Sequence, residues 1–256
     1  MKVVETGTGA LPLFMWVEDI EQAAADQAFH LAQLPFAHHH IALMPDCHSG
    51  YGMPIGGVLA TDGVVIPNAV GVDIGCGMLS VQTNLHASDL DKDKLRRIIG
   101  RVRDCVPAGV GQSNPVACSP NAMPDIDREP VPICMQQYTA ATKQLGTLGS
   151  GNHFIEIQAD ETDHVWYTIH SGSRNLGHKV ATYYNDKAKE HAAEFGFNTD
   201  PKWDLAALPI GSQLGRDYLN EMLYCVEFAQ ANRERMAFAV RMSFLEEIDT
   251  QFLDMI

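Results

Sequence analysis

The feature that most restricts this chain is a recurring pattern of glycines around single polar residues where apolar runs end. It occurs three times: Asp73 and Cys76 in GVDIGCGM, Asn152 and His153 in GSGNHF, and His170 in TIHSGSRNLG. Glycine enters left-handed backbone conformations without steric penalty and lets neighbouring groups approach closely. The pattern therefore calls for short strands that end in tight loops, each loop presenting a polar side chain. HIALMPD (residues 40–46) reads as one such strand, running into the Gly-rich loop CHSGYGMPIGG. The runs VLA, GVVIP, AVGVD and MLSVQTNL, punctuated by Gly and Pro, read as further strands, as do FIEIQ and HVWYTIH.

Helical periodicity fills the remaining stretches. Residues 17–33 are Ala-rich and amphipathic, and this helix should stop before Pro35. Residues 88–105 predict a second helix, with Ser88 as N-cap and Asp91 at the capping-box position. MQQYTAATKQL, a stretch from about His178 to Phe195, and the chain from about Leu214 nearly to its end predict three more. The last would carry Phe252, Leu253, Met255 and Ile256 at helical spacing with no C-cap signal. Between Val106 and Pro132 six prolines interrupt any period, which predicts a long loop. At 256 residues the chain fits one large domain or two small ones.

Composition narrows the function classes. With 46% hydrophobic and 20% charged residues the chain can build a substantial core. No apolar run reaches membrane-spanning length, and MKVVETGTGA lacks the apolar segment of a signal peptide. A cytoplasmic location without a membrane partner is the expectation. Cys47, Cys76, Cys105, Cys118, Cys134 and Cys225 form no CxxC pair, so they read as reduced thiols or ligands and not as a disulfide framework. A net charge of −14 opposes bulk attraction to nucleic acid, although metal ions can supply positive charge locally.

Thiolate, imidazole and carboxylate together suit a first-row transition metal such as Mn, Fe, Co or Zn. A shared thiolate can bridge two ions, a common arrangement in phosphoryl chemistry. Each residue alone has a blander reading. A lone Cys between glycines is usually a small buried hydrophobe, and His170 at a strand end is commonly structural. His38, His39 and His40 form a run of the kind that is often only exposed. Three such loops in one chain shift the balance toward a metal site. In GTLGSGNH, Gly146 and Gly151 have Walker A spacing, but Asn152 and His153 replace the Lys and Ser/Thr, so it is not a P-loop. Its glycines could still aim N–H groups at phosphate. Arg174 suits either a bidentate phosphate contact or a surface ion pair.

MPDCHSGYGMPIGG, IPNAVGVDIGCGM, LGTLGSGNHFIEI and HSGSRNLGH occur in that order, and over residues 35–240 the chain resembles the RtcB family of RNA-splicing ligases. The resemblance implies joining of an RNA 3′-phosphate or 2′,3′-cyclic phosphate end to a 5′-hydroxyl end, with GTP and two Mn²⁺ ions, through a histidine–GMP intermediate. It implies that Asp73, Cys76, His153 and His170 are metal ligands, with Cys76 bridging. It places Asn152, His153, Phe154, Ile155 and Glu156 in the guanylate-binding surface, and Arg174 against phosphate or RNA. The implied partners are RNA ends, such as tRNA halves or broken RNA, and a C-terminal fragment or activating protein. The family's C-terminal histidine motifs, including the nucleophile in an HGAGR-like string, have no counterpart here, and no histidine follows His191. The resemblance thus implies an α+β fold of packed β-sheets flanked by helices, a single domain over residues 1–256 that is C-terminally truncated, and it assigns no catalytic nucleophile. The alternative is a non-ligating metal-binding remnant, a metal-dependent phosphoesterase or a regulatory module.

Overall fold

The computed structural model describes residues 1–125, 131–197 and 199–248, together with the backbone of residues 254 and 255. In chain order the elements are β1 (Lys2–Val4), β2 (Leu13–Met15), α1 (Gln22–Ala32), β3 (Ala37–His48), β4 (Ile55–Thr61), β5 (Val64–Val65), α2 (Pro67–Val70) and β6 (Gly77–His86). They continue with α3 (Lys92–Cys105), α4 (Pro132–Gln144), β7 (Phe154–Ala159), β8 (His164–Ser171), α5 (Arg174–Phe195), β9 (Leu208–Pro209), α6 (Gln213–Leu245) and β10 (Asp254–Met255). This is the α+β mixture that the resemblance implies. The chain divides into two compact units, residues 1–72 with 179–220 and residues 73–178 with 221–256.

In the first unit β1, β2, β3 and β4 form a mixed sheet in that order, with β2 and β3 parallel and the other pairs antiparallel. Ala24, Ala28, Leu31 and Ala32 recur at helical spacing on α1 and are buried with Ile41 and Leu43 of β3. Small residues on that stripe let the helix lie close to the sheet. The helix stops ahead of Pro35, as its sequence requires. AVGVD is not a strand. Pro67 has a fixed φ suited to a helix start and opens the short α2, which Gly71 ends at φ +94°.

The second unit holds a four-stranded antiparallel sheet in the order β10, β6, β8, β7. Val165, Tyr167 and Ile169 of β8 point into a core completed by Ile98 and Val102 of α3 and Met236, Val240 and Phe244 of α6. Strand alternation then puts His170 on the opposite face of β8. Two expectations are corrected here. The N-cap of α3 is Asp91, whose carboxylate accepts from Asp93 N and Lys94 N at 2.9 and 2.8 Å, while Ser88 lies in a preceding 3₁₀ turn. The last helix ends at Leu245, and Asp254 and Met255 pair with Thr83 and Gln82 of β6, whose edge offers backbone groups to an added strand. Phe252, Leu253 and Ile256 lie outside the described residues, as does the Met255 side chain. Among the described residues no helix is long and apolar enough to cross a membrane.

Candidate metal centre

The register of the second sheet gathers the three glycine-rich loops. Gly77 at the start of β6 pairs with Ser171 at the end of β8, and Phe154 at the start of β7 pairs with His170. All three loops therefore emerge at one end of the sheet. In the first, Cys76 N donates to the Asp73 carbonyl at 2.9 Å and closes a tight turn. Gly75 sits in that turn at φ +77°, and a Cβ there would lie 2.9 Å from Val226 Cα, so the position admits only glycine. The Asp73 carboxylate accepts from Ser173 N at 3.1 Å and occupies the space a side chain on Gly172 would need.

His153 is held from both sides. Its Nδ1 lies 2.9 Å from the Leu148 carbonyl, which only accepts, so Nδ1 carries a proton and Nε2 faces the cluster. Nε2 lies 2.9 Å from Asp73 Oδ2 and 3.5 Å from Cys76 Sγ. His170 Nε2 approaches the same sulfur at 3.1 Å. Asp73, Cys76 and His153 present donor atoms within 4.8 Å of one another, the group among the described residues able to hold a metal ion. An ion bonded at about 2.0–2.3 Å to N, O and S donors spaces them roughly 3–4 Å apart. The observed spacings need little adjustment, and the mixed thiolate, imidazole and carboxylate set fits a first-row transition-metal cation.

Electrostatics set the protonation of the cluster. The hydrogen bond to Asp73, followed by that to Cys76, pushes His153 up to about 10. Burial acts to raise the Asp73 carboxyl, but the His153 hydrogen bond and charge outweigh it, and the net direction is down. Burial, and then the His153 charge, push His170 down and leave its lone pair available.

The remaining expected site residues spread around this cluster. The Asn152 backbone hydrogen-bonds the His170 ring, and Phe154 meets that ring edge-on at 5.5 Å. Glu156 lies on the same strand face as Phe154 and is exposed, whereas Ile155 packs on the core side. Arg174 opens α5 at φ +60° with Nε bonded to Thr147 Oγ1 at 3.2 Å. Its guanidinium lies against Gly149, where any side chain would collide with it. His38, His39 and His40 belong to β3 of the first unit.

Two residues of α6 were not singled out in the sequence. Asn232 is fully buried. Its Oδ1 accepts from Gly146 N and Thr147 N at 2.7 and 3.2 Å, and its Nδ2 donates to Thr147 O, Ser171 Oγ and Gly172 O. Arg233 Nη1 donates to the carbonyls of Gly75 and Ser171. The available signal was Asn232 itself, a polar residue on a buried stripe otherwise made of Phe228, Ala229, Met236 and Val240.

Sequence comparison adds the decisive observation: the model of the family described as tRNA-splicing ligase RtcB matches residues 27–141 and 126–255. This chain belongs to the RtcB family. It is 39% identical to the RNA-splicing ligase RtcB of Escherichia coli K12 over 241 residues, 88% of this chain and 59% of that one. The tRNA-splicing ligase RtcB of Archaeoglobus fulgidus is 32% identical over 271 residues, 88% of this chain and 56% of the relative. That of Pyrobaculum aerophilum is 31% identical over 266 residues, covering 86% and 54%. The chain thus spans a little over half the length of these RtcB relatives.

Proposed function

We propose that this chain carries the metal-holding part of an RtcB-type RNA ligase. The reaction is joining of a 3′-phosphate or 2′,3′-cyclic phosphate RNA end to a 5′-hydroxyl end with GTP and manganese, in the cytoplasm, as in tRNA splicing or RNA repair. The observation that carries the reading is the convergence of Asp73, Cys76 and His153, with His170 beside the same sulfur, in a member of this family. Manganese bound here would supply positive charge to phosphate oxygens.

The chain's own residues have distinct parts in this reading. Asp73 and Cys76 offer negative charge to balance the cation, and the Leu148 carbonyl keeps His153 in the tautomer with Nε2 toward it. His170, 3.1 Å from the same sulfur, would add an imidazole to the donor set for a second ion. Asn152, His153, Phe154, Ile155 and Glu156 form the guanylate-binding segment, a turn leading into β7, with Phe154 and Glu156 on its outer face and Ile155 anchoring it to the core. Arg174, fixed to Thr147, brings a guanidinium toward phosphate. RNA ends, GTP, and a C-terminal fragment or activating protein are the partners.

The test is a Mn²⁺ titration of the wild-type chain, Cys76→Ala and His153→Ala, alongside an RNA-joining assay with GTP. Loss of metal affinity of about tenfold or more in both variants is expected. Wild-type affinity in both would remove the site. Metal binding with phosphate release from RNA ends but no joining, even with the partner fragment, would move the reading to a metal-dependent phosphoesterase.

A further inference from the structure

Arg233 lies outside the donor set, yet it ties together the two loops that carry Cys76 and His170. Its Nη1 donates to the Gly75 carbonyl at 2.8 Å and to the Ser171 carbonyl at 2.9 Å. Gly75 immediately precedes Cys76, and Ser171 immediately follows His170. Gly77 and Ser171 form the last pair of the β6–β8 ladder on this side. Beyond that pair the two chains separate into loops, and one guanidinium nitrogen spans them in place of the ladder. The groups positioned this way are the sulfur and imidazole that stand 3.1 Å apart.

The other half of the cluster is held by different means. Ser173 N fixes the Asp73 carboxylate, and the Leu148 carbonyl fixes His153. Neither contact involves Arg233. The guanidinium is partly buried; burial pushes Arg233 down, and the neighbouring Cys76 and Asp73 charges offset only part of that. A planar fork with several N–H groups suits two carbonyls at once, whereas an ammonium on a flexible stem offers a point charge with less directional control.

We infer that Arg233 is a positioning residue that sets the separation of the Cys76 sulfur from the His170 imidazole, and so governs the thiolate half of the metal centre. The inference rests on the metal reading proposed above. It makes a selective claim: removing Arg233 uncouples the thiolate from a bound ion while Asp73 and His153 still hold it.

Co²⁺ is the probe, because a bound thiolate gives a sulfur-to-cobalt charge-transfer absorption that carboxylate and imidazole ligands do not give. The full 256-residue chain is titrated as wild type, Cys76→Ala, Arg233→Gln and Arg233→Lys, with thermal unfolding of each followed in parallel. Wild type should show the band and Cys76→Ala should lack it. Arg233→Gln should lose at least about half of the band amplitude, with Co²⁺ affinity down about tenfold. Its ligand-field absorption should persist, since the ion stays on Asp73 and His153. Arg233→Lys should fall between Gln and wild type. A wild-type band and affinity in Arg233→Gln would overturn the inference. Loss of all cobalt absorption in proportion to lost stability, in both Arg233 variants, would also overturn it by showing a purely structural role. If Arg233→Gln does not fold, the Lys variant decides alone: an unchanged band refutes the inference, and a reduced band with cobalt retained supports it. Absence of cobalt binding by wild type would instead refute the metal reading, and the inference with it.

Discussion

His153 donates a hydrogen bond from each ring nitrogen, to the Leu148 carbonyl and to the Asp73 carboxylate, and this fixes how the cluster responds to pH. In the metal-free chain the raised value means that the extra proton stabilises the fold. That contribution is complete below the ordinary value of 6.5 and is lost as pH rises through about 10. The unfolding midpoints of wild type and His153→Gln, measured in chelator, should therefore converge as pH rises over that window; a constant gap would contradict the assignment. Metal affinity has the opposite sign, because the ion competes with the proton for Nε2, so Mn²⁺ binding should weaken steadily on acidification. Gly75 illustrates a different constraint. Gly75→Ala combines a left-handed φ of +77° with a 2.9 Å approach to the Val226 backbone. It should cost about 1–3 kcal/mol in chemical denaturation and lower metal affinity, since the neighbouring residue is Cys76.

At the level of elements, α4 shows how a helix end in this protein depends on a distant residue. Val131 supplies no side-chain cap, and the buried Glu221 of α6 accepts from Ile133 N at 2.6 Å and Cys134 N at 2.9 Å instead. Glu221→Ala would leave those N–H groups without this acceptor and should destabilise the chain by about 1–3 kcal/mol, with Glu221→Gln milder; denaturant unfolding measures both. Such caps are invisible to local sequence reading, which sees only the residues beside the helix. The same limit explains the other differences. The α1 stripe of Ala and Leu declared itself through periodicity alone, and so did β7 and β8. Ser88 reads as the cap of α3 because Ser and Asp are both good caps, and only the three-dimensional turn selects Asp91. AVGVD has strand-like composition, but Pro67 outweighs it by starting a helix.

For the whole molecule, glycine placement announced the candidate site more clearly than it announced the fold. Asp73, Cys76, His153 and His170 come from loops spread over nearly 100 residues, and glycine brackets marked each of them before any contact was known. What joins them was not legible. The β6–β8–β7 register, and the polar pair Asn232 and Arg233 on α6, depend on long-range pairing that no local pattern encodes. The same inventory predicts that this chain alone forms no covalent GMP adduct. A nucleophile must present a free lone pair in line with the α-phosphorus. His153 and His170 turn Nε2 toward Asp73 and Cys76, where a bound ion would occupy their lone pairs. Incubation with labelled GTP and Mn²⁺, followed by denaturing electrophoresis and mass measurement, should show unmodified chain, and an acid-labile adduct would point to a nucleophile not considered above.

The short contact between His153 Nε2 and the Asp73 carboxylate has a calorimetric consequence. An ion entering the cluster displaces the hydrogen that bridges those two atoms, and the surrounding buffer must absorb it. The heat of Mn²⁺ uptake near neutral pH should therefore differ between buffers of unlike ionisation enthalpy, even where the affinity is the same. Plotted against that enthalpy, the heats should fall on a line whose slope corresponds to about one hydrogen ion or more released per metal bound. His153→Gln should flatten the line.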